Sequence, residues 1–136
     1  MSAELNNEII LASGSPRRLE LLQQIGINAR VEPVPVEEVL LPEELPLDFV
    51  QRLAREKAQH GFELMLQKGI NIPVLGADTI VELNDEVFGK PADIEQAESM
   101  LAKLSGRTHN VHTAVVIKTA EAEYSALSSS QVEFAQ

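Results

Sequence analysis

Two arginines stand at the start of a predicted helix, where positive charge is unexpected. Residues 11–18 read LASGSPRR, with Ser15 as the N-cap and Pro16 at the first helical position. Unpaired N–H groups and the dipole at a helix N-terminus favour negative charge, so Arg17 and Arg18 break the local rule twice. Free amides, the hydroxyls of Ser13 and Ser15 and two guanidinium groups predict a phosphate-binding site. The alternative is that both arginines only extend into solvent.

Other charged residues fall at predicted strand ends and joints. They are Glu37, Glu38, Asp78, Lys90 and Arg107. Asp78 follows the apolar run 72–77, and a carboxylate there is costly to desolvate unless it meets a cation or a metal. In open α/β sheets ligands bind beyond the strand ends, so Asp78 is the candidate metal ligand or general base. Glu37 or Glu38 could supply a second carboxylate, since Mg²⁺ takes carboxylate oxygens together with substrate phosphates.

The mixed signs of these residues lead to the hypothesis of phosphoanhydride hydrolysis. The cations would hold phosphate and stabilise developing charge, and a metal-oriented water would attack. Taken singly, each residue also has an ordinary explanation: Asp78 as a turn cap, the glutamates as solvated groups, and Lys90 as a surface loop residue. Lys57 lies on the apolar stripe of a long helix, where a lysine usually extends its amine to the surface, although it could also point into a site.

Alternating strands and helices must position these residues. Apolar runs at 9–11, 28–36, 72–77, 79–83, 86–88 and 111–118 predict strands, and 131–134 could add one more. Helices are predicted after the N-caps Ser15, Asp48 and Asp93. Glycines end these helices at Gly26, Gly69 and Gly106. The interleaving predicts an α/β fold with a mixed, twisted sheet flanked by helices.

Composition limits the class of protein. The 136 residues, 44% of them apolar, predict one domain over 1–136. A net charge of −10 argues against general binding to nucleic acid or membranes, so an anionic ligand needs a local cationic pocket. The chain has no cysteine, which excludes disulfides, thiolate zinc sites and a cysteine nucleophile. An acidic, polar N-terminus and the lack of a transmembrane run predict a cytoplasmic protein.

Six motifs in order resemble the Maf family of nucleotide pyrophosphatases, once described as septum-formation inhibitors. They are LASGSPRR at 11–18, VEE at 36–38, LAREKA at 53–58, VLGADT at 74–79, GKP at 89–91 and LSGRTH at 104–109. Together they run across most of the chain. The resemblance implies a Maf/ITPase-like fold. It also implies hydrolysis of nucleoside triphosphates to monophosphate and pyrophosphate with a divalent cation, Mg²⁺ or Mn²⁺.

The same resemblance implies roles for individual residues. Asp78 would be the base or metal-side carboxylate, Glu37 a second metal-side carboxylate, and Lys57 and Lys90 catalytic, phosphate-directed cations. The substrate-binding set would be Ser13, Ser15, Arg17, Arg18, Thr79 and Arg107. Arg17 and Thr79 match positions linked to base choice in the branch that takes dTTP and UTP, so pyrimidine triphosphates are the expected substrates.

One departure from the family pattern concerns length. Family members continue beyond Gln136 through a further helix and strands, so this chain is expected to lack the C-terminal part of the fold. Exposed sheet edge would then lower stability or favour self-association. The second hypothesis is therefore a non-catalytic nucleotide-binding or division-regulating protein, and a third is a phosphate-ester hydrolase that releases orthophosphate. A homodimer is also compatible with the resemblance.

Overall fold

The computed structural model describes residues 8–13, 15–88 and 93–133. Its elements alternate as the sequence pattern predicts. In chain order they are β1 (Glu8–Leu11), α1 (Pro16–Gln24), β2 (Asn28–Val31), α2 (Pro46–Gln67), β3 (Val74–Leu83), β4 (Glu86–Phe88), α3 (Ile94–Leu104), β5 (Thr108–Lys118) and β6 (Glu123–Glu133).

The strands form one mixed sheet, which confirms the expected fold class. The order is β2-β1-β3-β5-β6, with β4 paired to β3. The first three strands of this order are parallel, whereas β5 and β6 run antiparallel to their neighbours. Helical crossovers supply the parallel connections and a tight turn joins the antiparallel strands β3 and β4, because parallel neighbours need a long connection and antiparallel ones do not.

The strand β3 has a gap along one side. Strand β5 pairs with β3 from Val74 to Glu82, so β1 and β4 share the opposite side. On that side the pairing with β1 reaches only Leu75, and the pairing with β4 covers only Val81 to Leu83. Within the described part of the chain, residues 76–80 therefore have no ladder partner there. The gap leaves the middle of a central strand accessible to a ligand.

Helix α2 covers one face of the sheet with its apolar stripe. The residues of this stripe are all buried: Phe49, Val50, Leu53, Ala54, Ala58, Phe62 and Met65. A Cβ atom at Gly76 would collide with the backbone of Ala54 and Ala58, so only glycine lets α2 approach β3 this closely. Lys57 lies about one helical turn after Ala54, and Asp78 lies two residues after Gly76 on the strand. The close contact therefore sets these two side chains against each other.

Several predicted boundaries differ from the observed ones. Helix α2 begins at Pro46 with Leu45 at the N-cap position, so the prediction of Asp48 as N-cap was wrong. Pro46 lacks the N–H that would need a cap at the first helical position, and the positive end of the helix dipole favours Asp48 inside the first turn. Strand β2 is shorter than predicted and ends at Val31, before Pro33 and Pro35.

Strand β3 passes through Asp78 instead of ending there. From Val74 onward the predicted runs 72–77 and 79–83 form one strand, so the site does not lie beyond the end of this strand. Strand β6 starts at Glu123, well before the predicted 131–134, and includes the serine run 128–130. Serines are weak strand predictors, but continuous pairing with β5 holds them in the ladder.

Candidate active site

The start of α1 forms a polar pocket around Arg18. The N-cap prediction is confirmed, because the Arg18 backbone N–H donates to Ser15 Oγ at 3.4 Å. The guanidinium of Arg18 donates to Ser13 Oγ at 3.0 Å and to Thr79 Oγ1 at 3.1 Å. Both acceptors are uncharged hydroxyls, so these contacts orient the guanidinium without neutralising it. A fixed cation at a helix N-terminus is suited to binding phosphate.

Thr79 extends this polar group across the sheet. Its hydroxyl lies 2.9 Å from the hydroxyl of Thr113, its register partner on β5. Because side chains alternate along a strand, Thr79 lies on the face opposite to Asp78. Both nevertheless reach one cavity, since the sheet has its gap beside them.

Lys57 and two carboxylates form the second wall. The ammonium Nζ lies 3.0 Å from Asp78 Oδ1 and 3.6 Å from Glu38 Oε2. Burial raises the pKa of the Asp78 carboxyl above its ordinary value; the negative charge of Glu38 acts in the same direction, whereas Lys57 opposes the rise. A buried carboxylate with a raised pKa is suited to accept a proton.

The two walls face each other across one open cavity of about 750 Å³. Among the residues that the structure describes, its polar lining consists of Ser13, Ser15, Arg18, Thr79, Glu38, Lys57 and Asp78. Apolar residues complete it: some come from α2 and the strands after it, such as Phe49 and Leu53, and others, such as Val34 and Leu40, come from the chain before α2. A cavity of this size suits a ligand with the dimensions of a nucleotide.

Three further predicted site residues that the structure describes do not line the cavity. Glu37 is exposed and does not line the cavity; its neighbour Glu38 does. Arg17 is exposed, beside the cavity-lining Arg18. Arg107 directly precedes β5 and does not line the cavity. The nearby β5 residue Asn110 pairs with Glu82 of β3. Lys90 lies outside the described residues, so its prediction has no structural outcome here.

Two features of the site lacked a usable sequence signal. Glu37 and Glu38 are adjacent identical residues, and the irregular backbone between β2 and α2 offers no period to decide which one turns inward. Arg52 binds Glu44, which lies outside the helix that carries the arginine, so no helical spacing rule links them.

Divalent cations could be held by Asp78 and Glu38. An ammonium already lies between these carboxylates, so their shared position attracts a cation. The described residues include no cluster of three or more histidine, aspartate or glutamate side chains with ligand geometry. Two carboxylates nevertheless fit Mg²⁺, which commonly completes its shell with substrate phosphates and water.

Curated relatives carry a shared name. The family model described as Maf-like protein matches residues 8–136. A Pseudoalteromonas atlantica protein named dTTP/UTP pyrophosphatase is 44% identical over 126 residues, which are 93% of this chain and 66% of that protein. An Escherichia coli K12 protein of the same name is 52% identical over 109 residues, or 80% of this chain and 54% of its own length. The chain therefore spans about half to two thirds of these relatives.

Solved structures support the fold alone. The Staphylococcus aureus Ham1 protein matches with a TM-score of 0.59 at 19% identity, covering 93% of this chain and 71% of that one. A Vibrio cholerae protein matches with a TM-score of 0.53 at 8% identity, over 93% of this chain and 60% of that protein's chain.

None of the described helices is long and apolar enough to cross a membrane.

Proposed function

Because this chain belongs to the Maf-like family, we propose that it is a nucleoside triphosphate pyrophosphatase that takes dTTP and UTP. Water attacks the α-phosphorus, and the bond between this phosphorus and the oxygen that bridges to the β-phosphate breaks. The products are the nucleoside monophosphate and pyrophosphate. The observation that carries this proposal is the cavity in which a hydroxyl-bonded guanidinium faces a lysine that is shared by two carboxylates. The names of the relatives supply the pyrimidine substrates.

The proposed binding of the triphosphate begins at α1. Ser13 and Ser15 offer hydroxyls, the first turn of the helix offers free amides, and Arg18 offers a charged fork. Among the other predicted binding groups, Thr79 accepts a hydrogen bond from the guanidinium of Arg18. We keep Arg17 and Arg107 as outer cationic contacts. Lys90 remains a proposed phosphate contact on the basis of its motif alone.

Asp78 is the proposed general base. Its buried carboxylate accepts the proton of the attacking water, and its raised pKa increases its basicity. Lys57 holds the carboxylate in place and offers positive charge to the phosphate oxygens as charge develops. Asp78 and Glu38 are the residues that would hold Mg²⁺ or Mn²⁺. When bound, such a cation would neutralise phosphate charge and lower the pKa of a bound water.

The test is pyrophosphate release from dTTP and UTP with Mg²⁺, compared between the wild type, Asp78→Asn and the exposed control Asp48→Asn. We expect release by the wild type and by Asp48→Asn, and a loss of at least about a hundredfold for Asp78→Asn. Binding without turnover would favour a non-catalytic nucleotide-binding protein. Release of orthophosphate would favour a general phosphate-ester hydrolase.

A further inference from the structure

The segment between β2 and α2 brings Glu38 to the cavity without regular secondary structure. Earlier in this segment, Val34 and Val36 pack against the two apolar core clusters. Two residues after Val36, Glu38 reaches the ammonium of Lys57 at 3.6 Å. The side chain of Glu38 is 55% exposed, so its own burial does little to fix it. A second attachment after Glu38 is needed to hold it against the site.

Arg52 provides this second attachment. Its guanidinium donates to both carboxylate oxygens of Glu44, at 2.8 and 3.0 Å. The Nη2 amino group, which makes the 3.0 Å contact, also donates to the carbonyl oxygen of Val39 at 2.8 Å, on the residue directly after Glu38. Glu44 in turn accepts the Leu41 N–H at 3.0 Å. Arg52 therefore ties residues 39–44 to helix α2 through backbone and side chain together.

The guanidinium itself is held firmly. Glu56 accepts another N–H of Arg52 at 3.1 Å from the next turn of α2, and the Phe49 ring centroid lies 5.5 Å from the guanidinium carbon. Only 24% of the Arg52 side chain and 10% of the Glu44 side chain are exposed. A planar fork with several fixed partners has little freedom left, and a lysine could not reproduce its bidentate contact.

We propose that Arg52 is a positioning residue, which holds Glu38 beside Lys57 and Asp78 without itself touching the substrate. This inference rests on the proposed function for its catalytic consequence, although its structural part does not. Arg52 is absent from the cavity lining, so its effect on turnover must pass through the segment that it binds. The proposed role of Glu38 as a metal ligand would then depend on the contacts that Arg52 makes with Val39 and Glu44, outside the cavity.

The first test measures amide hydrogen exchange in the segment. Arg52→Gln should speed exchange of the Leu41 N–H at least about tenfold, since that amide donates to the carboxylate that Arg52 holds. Arg52→Lys should give an intermediate rate. The matched control is Arg55→Gln on the same helix, which breaks a pair with Glu123 and should leave Leu41 unchanged. Unchanged exchange in Arg52→Gln would overturn the inference.

The second test is a double-mutant cycle with Glu38. Arg52→Gln should lower kcat/KM for UTP by about tenfold or more, as loss of a group that orients a metal ligand commonly does. In a Glu38→Gln background the same change should cost less than about twofold, because the residue being positioned is already disabled. Arg55→Gln should have no effect in either background. An equal loss in both backgrounds would mean that Arg52 acts independently of Glu38.

The two tests separate failure of this inference from failure of the proposed function. If the wild type releases no pyrophosphate, the proposed function fails, while hydrogen exchange still decides whether Arg52 holds the segment. If pyrophosphate is released but the cycle shows no coupling, the positioning role is wrong and the proposed function stands.

Discussion

The ammonium of Lys57 lies 3.0 Å from Oδ1 of Asp78, and both side chains are nearly buried, with 13% and 12% exposure. The pair joins α2 to β3 in the wall of the cavity. Neither charge would be stable there alone, because a buried ion loses its hydration. Stability and the proposed chemistry therefore depend on the same contact.

Removing Lys57 tests this dependence. Lys57→Met should lower the free energy of unfolding by about 3 kcal/mol at pH 7, since it leaves Asp78 buried without its cation. The cost should shrink at acidic pH, where Asp78 is protonated. Urea unfolding at both pH values measures the difference. The exposed control Lys68→Met, which breaks a 3.8 Å pair with Glu32, should cost no more than about 1 kcal/mol. Equal costs at both pH values would show that the charge of Asp78 is not involved.

Asp78 should also determine the acid side of the activity profile. Burial raises the pKa of its carboxyl, so the base is lost at a higher pH than for an ordinary aspartate, whose pKa is about 3.9. The stability that the protonated form contributes is present below the ordinary pKa and is lost as pH rises through the raised one. The acid limb, over which kcat/KM for UTP falls as the pH is lowered, is measured from the dependence of kcat/KM on pH. A limb at or below the ordinary aspartate range would contradict this role.

The two neighbouring arginines should differ in effect. Arg18 is fixed by Ser13 and Thr79 inside the cavity, whereas Arg17 is exposed. Arg18→Gln should raise KM for UTP by about tenfold or more, the loss of one charge-assisted contact. Arg17→Gln is the comparison: as an outer contact, Arg17 should contribute less, and its loss should raise KM by less than about threefold. Steady-state kinetics compares them, and a larger effect of Arg17 would reverse our assignment.

Gly76 should be indispensable for the approach of α2. Gly76→Ala places a methyl group against the backbone of Ala54 and Ala58 and should cost about 1–3 kcal/mol, with a fall in kcat as Lys57 shifts from Asp78. Gly69→Ala is the control, because its Cβ would meet open space at a positive φ. It should cost about 1–2 kcal/mol from backbone strain while kcat is kept. Thermal unfolding and kcat for UTP separate packing from strain.

A buried polar group links β3, β5 and β6 outside the cavity. Nε2 of His112 lies 2.9 Å from Oε1 of Glu82, and Nδ1 lies 2.7 Å from Oγ of Ser129. The hydrogen bond to His112 is the main cause of the lowered pKa of Glu82. The stability from ionised Glu82 is therefore present above the ordinary glutamate pKa of about 4.3 and is lost as pH falls through the lowered value.

Glu82→Gln should thus cost about 1–3 kcal/mol at pH 7 and progressively less below about pH 4. Chemical unfolding across this range checks the expectation. Glu86→Gln removes an exposed pair with Lys103 and should cost less than about 1 kcal/mol at any pH. A cost for Glu82→Gln that does not change with pH would rule out the ionised carboxylate as its source.

Local patterns predicted several of the elements that carry the site. The apolar stripe of α2 and the N-caps Ser15 and Asp93 follow from local chemistry, and the structure contains them. Local rules decide these features because their partners lie within a few residues along the chain.

Long-range contacts explain what the sequence could not predict. Asp78 was expected at a strand end, but pairing with β5 carries the strand past it, and the accessible edge arises because β1 stops early. Arg52 and Glu44 meet only after an irregular segment has turned back on α2. Such contacts depend on the path of the whole chain, which no local pattern describes.

Asp78 and Thr79 are consecutive, yet they project to opposite surfaces of the sheet beside the same opening. A molecule that touches both must therefore curl around the rim of a single strand. Substitutions on the surface that Thr79 shares with Thr113 could then change which nucleotides are accepted while leaving the cleavage apparatus on the other surface intact. Selectivity and catalysis would in that way be free to diverge separately during evolution.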